Sequence, residues 1–141
     1  MVADMGAGRR PRSNRPIPLL PGQKLEFLRL GHAVVLGFTG GRQVLIETVA
    51  HLHGPHGHAA VEPGEHPSDA LATLLGDVVR TARARDTGEL EITFGSGSTL
   101  LVDVDPDVES WAVAGPGGFL IVCLAGGELA FWGDANAGRR G

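Results

Sequence analysis

A chain of 141 residues, 43% hydrophobic and 20% charged, holds enough apolar mass for one core and too little charge to remain unfolded. The net charge of −4 excludes an overall basic nucleic-acid binder, and no apolar run reaches the roughly 20 residues of a membrane-spanning helix. A single cysteine, Cys123, excludes an intrachain disulfide.

Residues 1–21 carry arginines at 9, 10, 12 and 15 but no apolar stretch of the signal-peptide kind. Set against Asp4, these give the segment about +3 and leave about −7 for the rest of the chain. The expectation is a disordered basic tail; the alternative is an electrostatic arm for phosphate or an acidic partner.

From residue 22 to residue 133 the pattern is that of one β-rich domain. Residues 24–30 alternate imperfectly between apolar and charged, residues 32–38 are mostly apolar, and residues 43–49 follow the turn Gly40-Gly41. Two β-rich runs around a Gly-Gly turn predict a hairpin. The same grammar returns later. Residues 77–85 precede a turn at 86–88, Leu90, Ile92 and Phe94 alternate with Glu89, Glu91 and Thr93, and residues 98–104 follow Gly95-Ser96-Gly97. Phe38 and Phe94 stand 56 residues apart, as do Val44 and Leu100, while Gly22 and Gly76 stand 54 apart. Hairpin grammar alone predicts turns but not matched offsets, so two degenerate three-stranded repeats are expected, over 22–50 and 76–104.

Residues 51–66, rich in His, Gly and Pro, are expected to be a loop. One short helix is expected at about 68–75, with Ser68 as N-cap, Asp69 in the first turn, Gly76 as terminator, and Leu71, Leu74 and Leu75 on one face. Residues 109–132 predict a three-stranded meander joined by Gly-rich turns, and 134–141 predict a disordered end. The fold class expected is therefore mainly β (α+β): an antiparallel sheet or partly open barrel built from the two repeats, the meander and the helix.

The stretch Asp105-Pro106-Asp107, Glu109, Trp111, Gly115-Pro116-Gly117-Gly118, Ile121-Val122-Cys123 and Gly126-Gly127-Glu128-Leu129-Ala130-Phe131-Trp132 resembles the C-terminal signature of a family of small actinobacterial proteins classed as a domain of unknown function. The likeness extends over about residues 22–133 and is most specific in the last thirty or so. It implies a coherent fold and, as the family carries no agreed catalytic residues, almost no mechanism; the His-rich segment and the basic tail depart from it.

Five histidines between 51 and 66 are the sharpest local feature. His51, His53, His56 and His58 are the candidate metal ligands, for zinc or nickel, because neutral imidazole suits both and alternate strand residues share a side. Against this stands composition: a Gly/Pro loop does not fix ligand geometry, and a solvated tract without a cofactor is the reading preferred. Asp103, Asp105, Asp107 and Glu109 alternate with valines as a solvent-facing strand does, and Pro106 argues against a calcium loop. Arg83 and Arg85 share a strand face and are expected to protect an edge. Gly37-Phe38-Thr39-Gly40-Gly41 lacks the lysine and helix start of a phosphate loop. His32 is expected as a satisfied edge or core residue. Cys123, within the apolar run 119–124, is expected to be a buried, unreactive thiol.

No set of reactive groups emerges, so the expected role is a non-catalytic protein-interaction module; the resemblance implies one that is immunity-like or accessory to a partner protein. It is expected in the cytoplasm, with no nucleic-acid or membrane partner and with homodimerisation open. The alternatives are a metal- or pH-responsive protein using residues 51–66, and a small-ligand binder or enzyme whose pocket residues the sequence does not identify.

Overall fold

A computed structural model describes residues 14–55, 57–64 and 69–133. Twelve strands run through them: β1 Arg15–Pro16, β2 Leu25–Leu30, β3 Val34–Phe38, β4 Arg42–Ile46, β5 Ala50–Gly54, β6 Gly57–Val61, β7 Val79–Ala84, β8 Leu90–Phe94, β9 Thr99–Val102, β10 Trp111–Ala114, β11 Leu120–Cys123 and β12 Leu129–Trp132. They form two open antiparallel sheets, not a closed barrel. The first has the order β1-β7-β8-β9-β5-β6, the second β12-β11-β10-β4-β3-β2. Their inner faces share one core, with Leu36, Val44, Leu90, Ile92, Phe94, Leu100 and Val113 fully buried. Each such side chain contributes about 1.5–3 kcal/mol relative to leaving it in water.

The strand order explains the matched spacings of the sequence. In each half of the chain three strands form a meander, β2-β3-β4 in one sheet and β7-β8-β9 in the other. The next strand then crosses over: β5 pairs with β9, and β10 pairs with β4. Each half thus completes the sheet of the other. The β2/β3 pair carries a bulge between Leu25 and Phe27, and β7/β8 carries one between Val79 and Thr81. The halves meet at a bridge between Lys24 and Val78. There Leu25 N donates to Asp77 O (2.9 Å) while Val79 N donates to Gln23 O (2.8 Å). Gly22 N likewise donates to Val79 O, and Gly76 N to Leu25 O, both at 2.8 Å. Gly22 and Gly76 have φ of 87° and 85°, a conformation glycine adopts without steric cost. These reciprocal bonds lie about a pseudo-twofold axis, and the duplication expected from the spacing is present in the backbone.

Three expectations need correction. The supposed loop 51–66 contains a hairpin: β5 and β6 pair from Ala50↔Val61 to Gly54↔Gly57. Its period of two was present but masked by the Gly/Pro content, since Ala50, Leu52 and Val61 are buried while His53 and His58 face water. This hairpin corresponds to β10-β11, so each repeat is longer than three strands and the meander is the end of the second. The tail 1–21 is ordered from residue 14 onward: Ile17 and Leu20 are buried, and Ile17 N donates to Ala82 O at 2.9 Å. Their counterparts are Leu71 and Leu74, so this segment belongs to the first repeat; residues 1–13 and the expected disordered end at 134–141 lie outside the described residues. The helix expected at 68–75 is a 3-10 element over Asp69–Leu74, in which Leu71 and Leu74 are buried. Leu75 is 47% exposed instead of sharing their face, because a 3-10 turn repeats every three residues and leaves the next position outside. Ser68, its expected cap, lies outside the described residues.

Candidate functional site

The two sheets share a backbone plan, but their outer faces differ. Across the first sheet the register places Arg83, Glu91, Leu101, His51 and Ala60 in one outward row, and Thr81, Thr93, Thr99, His53 and His58 in the next. Across the second the equivalent rows are Arg29, Val35, Leu45, Ala112, Val122 and Ala130, then Phe27, Gly37, Gln43, Ala114, Leu120 and Trp132. Glu91 thus corresponds to Val35, His51 to Ala112, His53 to Ala114 and His58 to Leu120. The first face is mostly polar and charged, while the second is mostly apolar apart from Arg29 and Gln43. Phe27 lies over Gly37, where a Cβ would fall 2.1 Å from its ring, and Arg29 stands 5.7 Å from the ring centroid. At the far edge Trp132 is 51% exposed, and Arg15 stands 4.7 Å from the Phe131 ring.

On the polar face the histidines form a local array. His51 Nε2 lies 2.9 Å from Asp103 Oδ2, and His51 Nδ1 faces His58 Nε2 at 3.4 Å. The His58 ring stacks on His53 with centroids 4.4 Å apart. The sequence therefore identified three residues that the fold brings together; His56 lies outside the described residues. The sequence reading missed Asp103 as a partner of His51: strands β5 and β9 pair across fifty residues of chain, and no local signal marks that contact. Among the described residues no three His, Cys, Asp or Glu side chains already surround a common point at ligand distance.

Beside the array, Arg83 Nε donates to Glu91 Oε1 at 2.8 Å and Arg85 Nε to the same oxygen at 3.3 Å. Burial pushes the Glu91 carboxyl up, but the hydrogen bonds and positive charges of Arg83 and Arg85 outweigh it and hold the group below 4.5. A carboxylate with a lowered folded-state pKa adds stability above its unfolded value, and that contribution is lost as pH falls through the folded value. Glu91→Gln is therefore expected to flatten the decline in urea midpoint between neutral pH and acid below that range. The effect is on the order of 1 kcal/mol, because both arginines are exposed. Parallel declines in the two proteins would contradict the assignment.

The other sites singled out are structural. Asp107 N donates to Asp105 Oδ1 and Asp105 N to Ser110 Oγ, both at 2.7 Å, so the acidic run folds into a side-chain-stabilised turn. His32 is exposed in the β2–β3 turn, not at a satisfied edge or core position. Cys123 is buried with its thiol 3.5 Å from Gly88 O; burial pushes its pKa up, against a smaller opposing hydrogen bond from Ser110, and the thiolate needed for reactivity is disfavoured. An open cleft of about 510 Å³ lies between the β5–β6 hairpin and the 3-10 element, lined by Leu52, Ala59, Thr73 and Ser98 among others. Among the described residues no helix is long and apolar enough to cross a membrane.

Residues 16–133 match the model of the Family of unknown function (DUF6188), and the chain belongs to that family. No curated protein and no solved structure matches it.

Proposed function

We propose that this member of a family of unknown function is a non-catalytic protein-interaction module, cytoplasmic and accessory or immunity-like in role, whose docking surface is the apolar outer face of the second sheet. The observation that carries the reading is the internal comparison. The fold accepts Glu91, His53, His58 and Thr81 on the outer face of the first sheet, so nothing in the backbone requires Val35, Ala114, Leu120 and Phe27 at the matching positions of the second. A sheet face of this composition calls for a cover. The non-catalytic part is supported by how the polar groups are engaged: Glu91 is held by two arginines, the Thr93 and Thr99 hydroxyls lie 3.4 Å apart, and the Cys123 thiol is buried.

The occupant that fits is a second copy. Six strands at about 4.8 Å spacing, with four to six residues each, make a face that would bury on the order of 1,200 Å² in a stacked pair, the lower bound for a stable specific interface. Small side chains, Ala112 and Ala114 of β10, lie in the middle beside Leu45 and Gln43 of β4, and Trp132 and Phe27 stand at the two edges. Stacking would leave both charged faces outward, giving a bivalent module for a further partner protein.

The untagged chain is expected to sediment as a dimer. Leu45→Lys should weaken dimerisation at least thirtyfold, an effect of about 2 kcal/mol at a desolvated interface position. Leu101→Lys, the same change at the equivalent place on the polar face, should leave the dimer intact. A wild-type monomer at all accessible concentrations, or equal effects of the two variants, would overturn the assignment.

A further inference from the structure

The histidine array has features that a solvated patch does not need. Asp103 accepts from His51 Nε2 at 2.9 Å, and an ionised carboxylate is an acceptor only, so it fixes the imidazole hydrogen on Nε2. That leaves Nδ1 as the unprotonated nitrogen of His51, 3.4 Å from His58 Nε2, with the two rings stacked 13° from parallel and their centroids 5.5 Å apart. Two nitrogens bound to a tetrahedral cation at about 2.0–2.1 Å stand about 3.3 Å apart, so this pair already has the required bite. A histidine whose second ring nitrogen is held by a carboxylate is the usual arrangement around protein-bound metals, since the carboxylate orients the ring and raises its basicity. His53, stacked on His58 at 4.4 Å, is a third imidazole within side-chain reach. The equivalent positions on the second sheet are Ala112, Ala114 and Leu120, so the fold itself does not call for histidines here.

From this geometry we infer that the outer face of the β5–β6 hairpin binds a divalent late transition metal ion, zinc or nickel, through His51 Nδ1 and His58 Nε2, with Asp103 as the orienting partner of His51. The bound ion draws His53 out of its stack to become the third ligand, and water completes the tetrahedron. Imidazole donors favour these ions over calcium or magnesium, which take oxygen. The site is on the face opposite the proposed dimer surface and does not depend on it.

The test is a calorimetric titration of zinc chloride into the untagged full chain purified without nickel resin, with cobalt(II) absorption reporting coordination. Saturable binding of one ion per chain and a four-coordinate cobalt spectrum are expected. His51→Ala and His58→Ala should each lose at least tenfold in affinity, and Asp103→Asn should lose 10–100-fold, as removal of an orienting partner does. His32→Ala, at an exposed histidine on the β2–β3 turn of the other sheet, should bind as the wild type does. All three site residues lie at least partly in solvent, so their variants should melt like the wild type without metal, which separates lost binding from lost folding. Failure to saturate, a stoichiometry other than one, an Asp103→Asn variant that binds normally, or an equal loss in His32→Ala would each overturn the assignment and leave a surface that takes up metal adventitiously.

Discussion

Trp111→Ala is expected to destabilise the domain by about 3–5 kcal/mol, a large share of the 5–15 kcal/mol by which a domain of this size is stable. Trp111 is only 1% exposed and heads the large, fully buried side chains. It sits on β10 between Ile46 of β4 and Cys123 of β11, where the second half of the chain completes the sheet of the first. Its counterpart in the first sheet is Ala50, so the indole fills a volume that the pseudo-symmetric half does not supply. The indole Nε1 also donates to Gly88 O at 2.9 Å, tying the crossover strand to the β7–β8 turn. Trp111→Phe should fall between wild type and alanine, since it keeps most of the volume but leaves that buried carbonyl with only the weak thiol donor of Cys123. Urea midpoints with an unchanged slope provide the measurement. A loss under 1 kcal/mol for the alanine variant would show that the crossover does not depend on this side chain.

The crossover is also the feature the sequence concealed. Alternation at Leu90, Ile92 and Phe94 and glycines at the corners identified the meanders, because side-chain direction and turn geometry are local properties. The spacing of Phe38 from Phe94 and of Gly22 from Gly76 exposed the duplication, and the two bulges show how closely the backbones follow each other. Which strand lies beside which is not local. Nothing near Ala50 says that it will face Val102, and nothing near Trp111 says that it will face Ile46. Without those pairings β5-β6 had no sheet to join, and its histidines, glycines and proline read as loop. Ile17 and Leu20 were hidden in a similar way, by the arginines and prolines around them.

The candidate site was legible in proportion to the same rule. His51, His53 and His58 were identifiable from residue type and alternate spacing; Asp103 became visible only once β5 lay beside β9. The apolar face was harder still, because its strands never come together in sequence. Val35, Leu45, Ala112 and Val122 each look like ordinary strand residues. Only the register shows that they share one outward row, and only the second copy of the same plan shows that the row need not be apolar.

Gly88→Ala is the second large effect expected, a loss of about 3 kcal/mol. Gly88 has φ of +107°, which an alanine adopts at a cost of about 1 kcal/mol. More damaging is what the new methyl would meet: Gly127 Cα and O lie 2.7 Å from the position of a Cβ, and both are backbone atoms. The reverse contact is just as close, since a Cβ on Gly127 would stand 2.5 Å from Thr87 O. The β7–β8 and β11–β12 turns therefore touch main chain to main chain, one from each sheet, and a methyl group forces them apart. Because Gly88 O also receives the Trp111 indole, the displacement should carry into the core. Gly117→Ala supplies the control: it too has positive φ (+75°), but no atom lies within 4 Å, so only the conformational cost of about 1 kcal/mol applies. The difference between the two variants in urea midpoint measures the turn-to-turn contact. Equal losses would mean that the turns separate freely and that the sheets are held together by their inner faces alone.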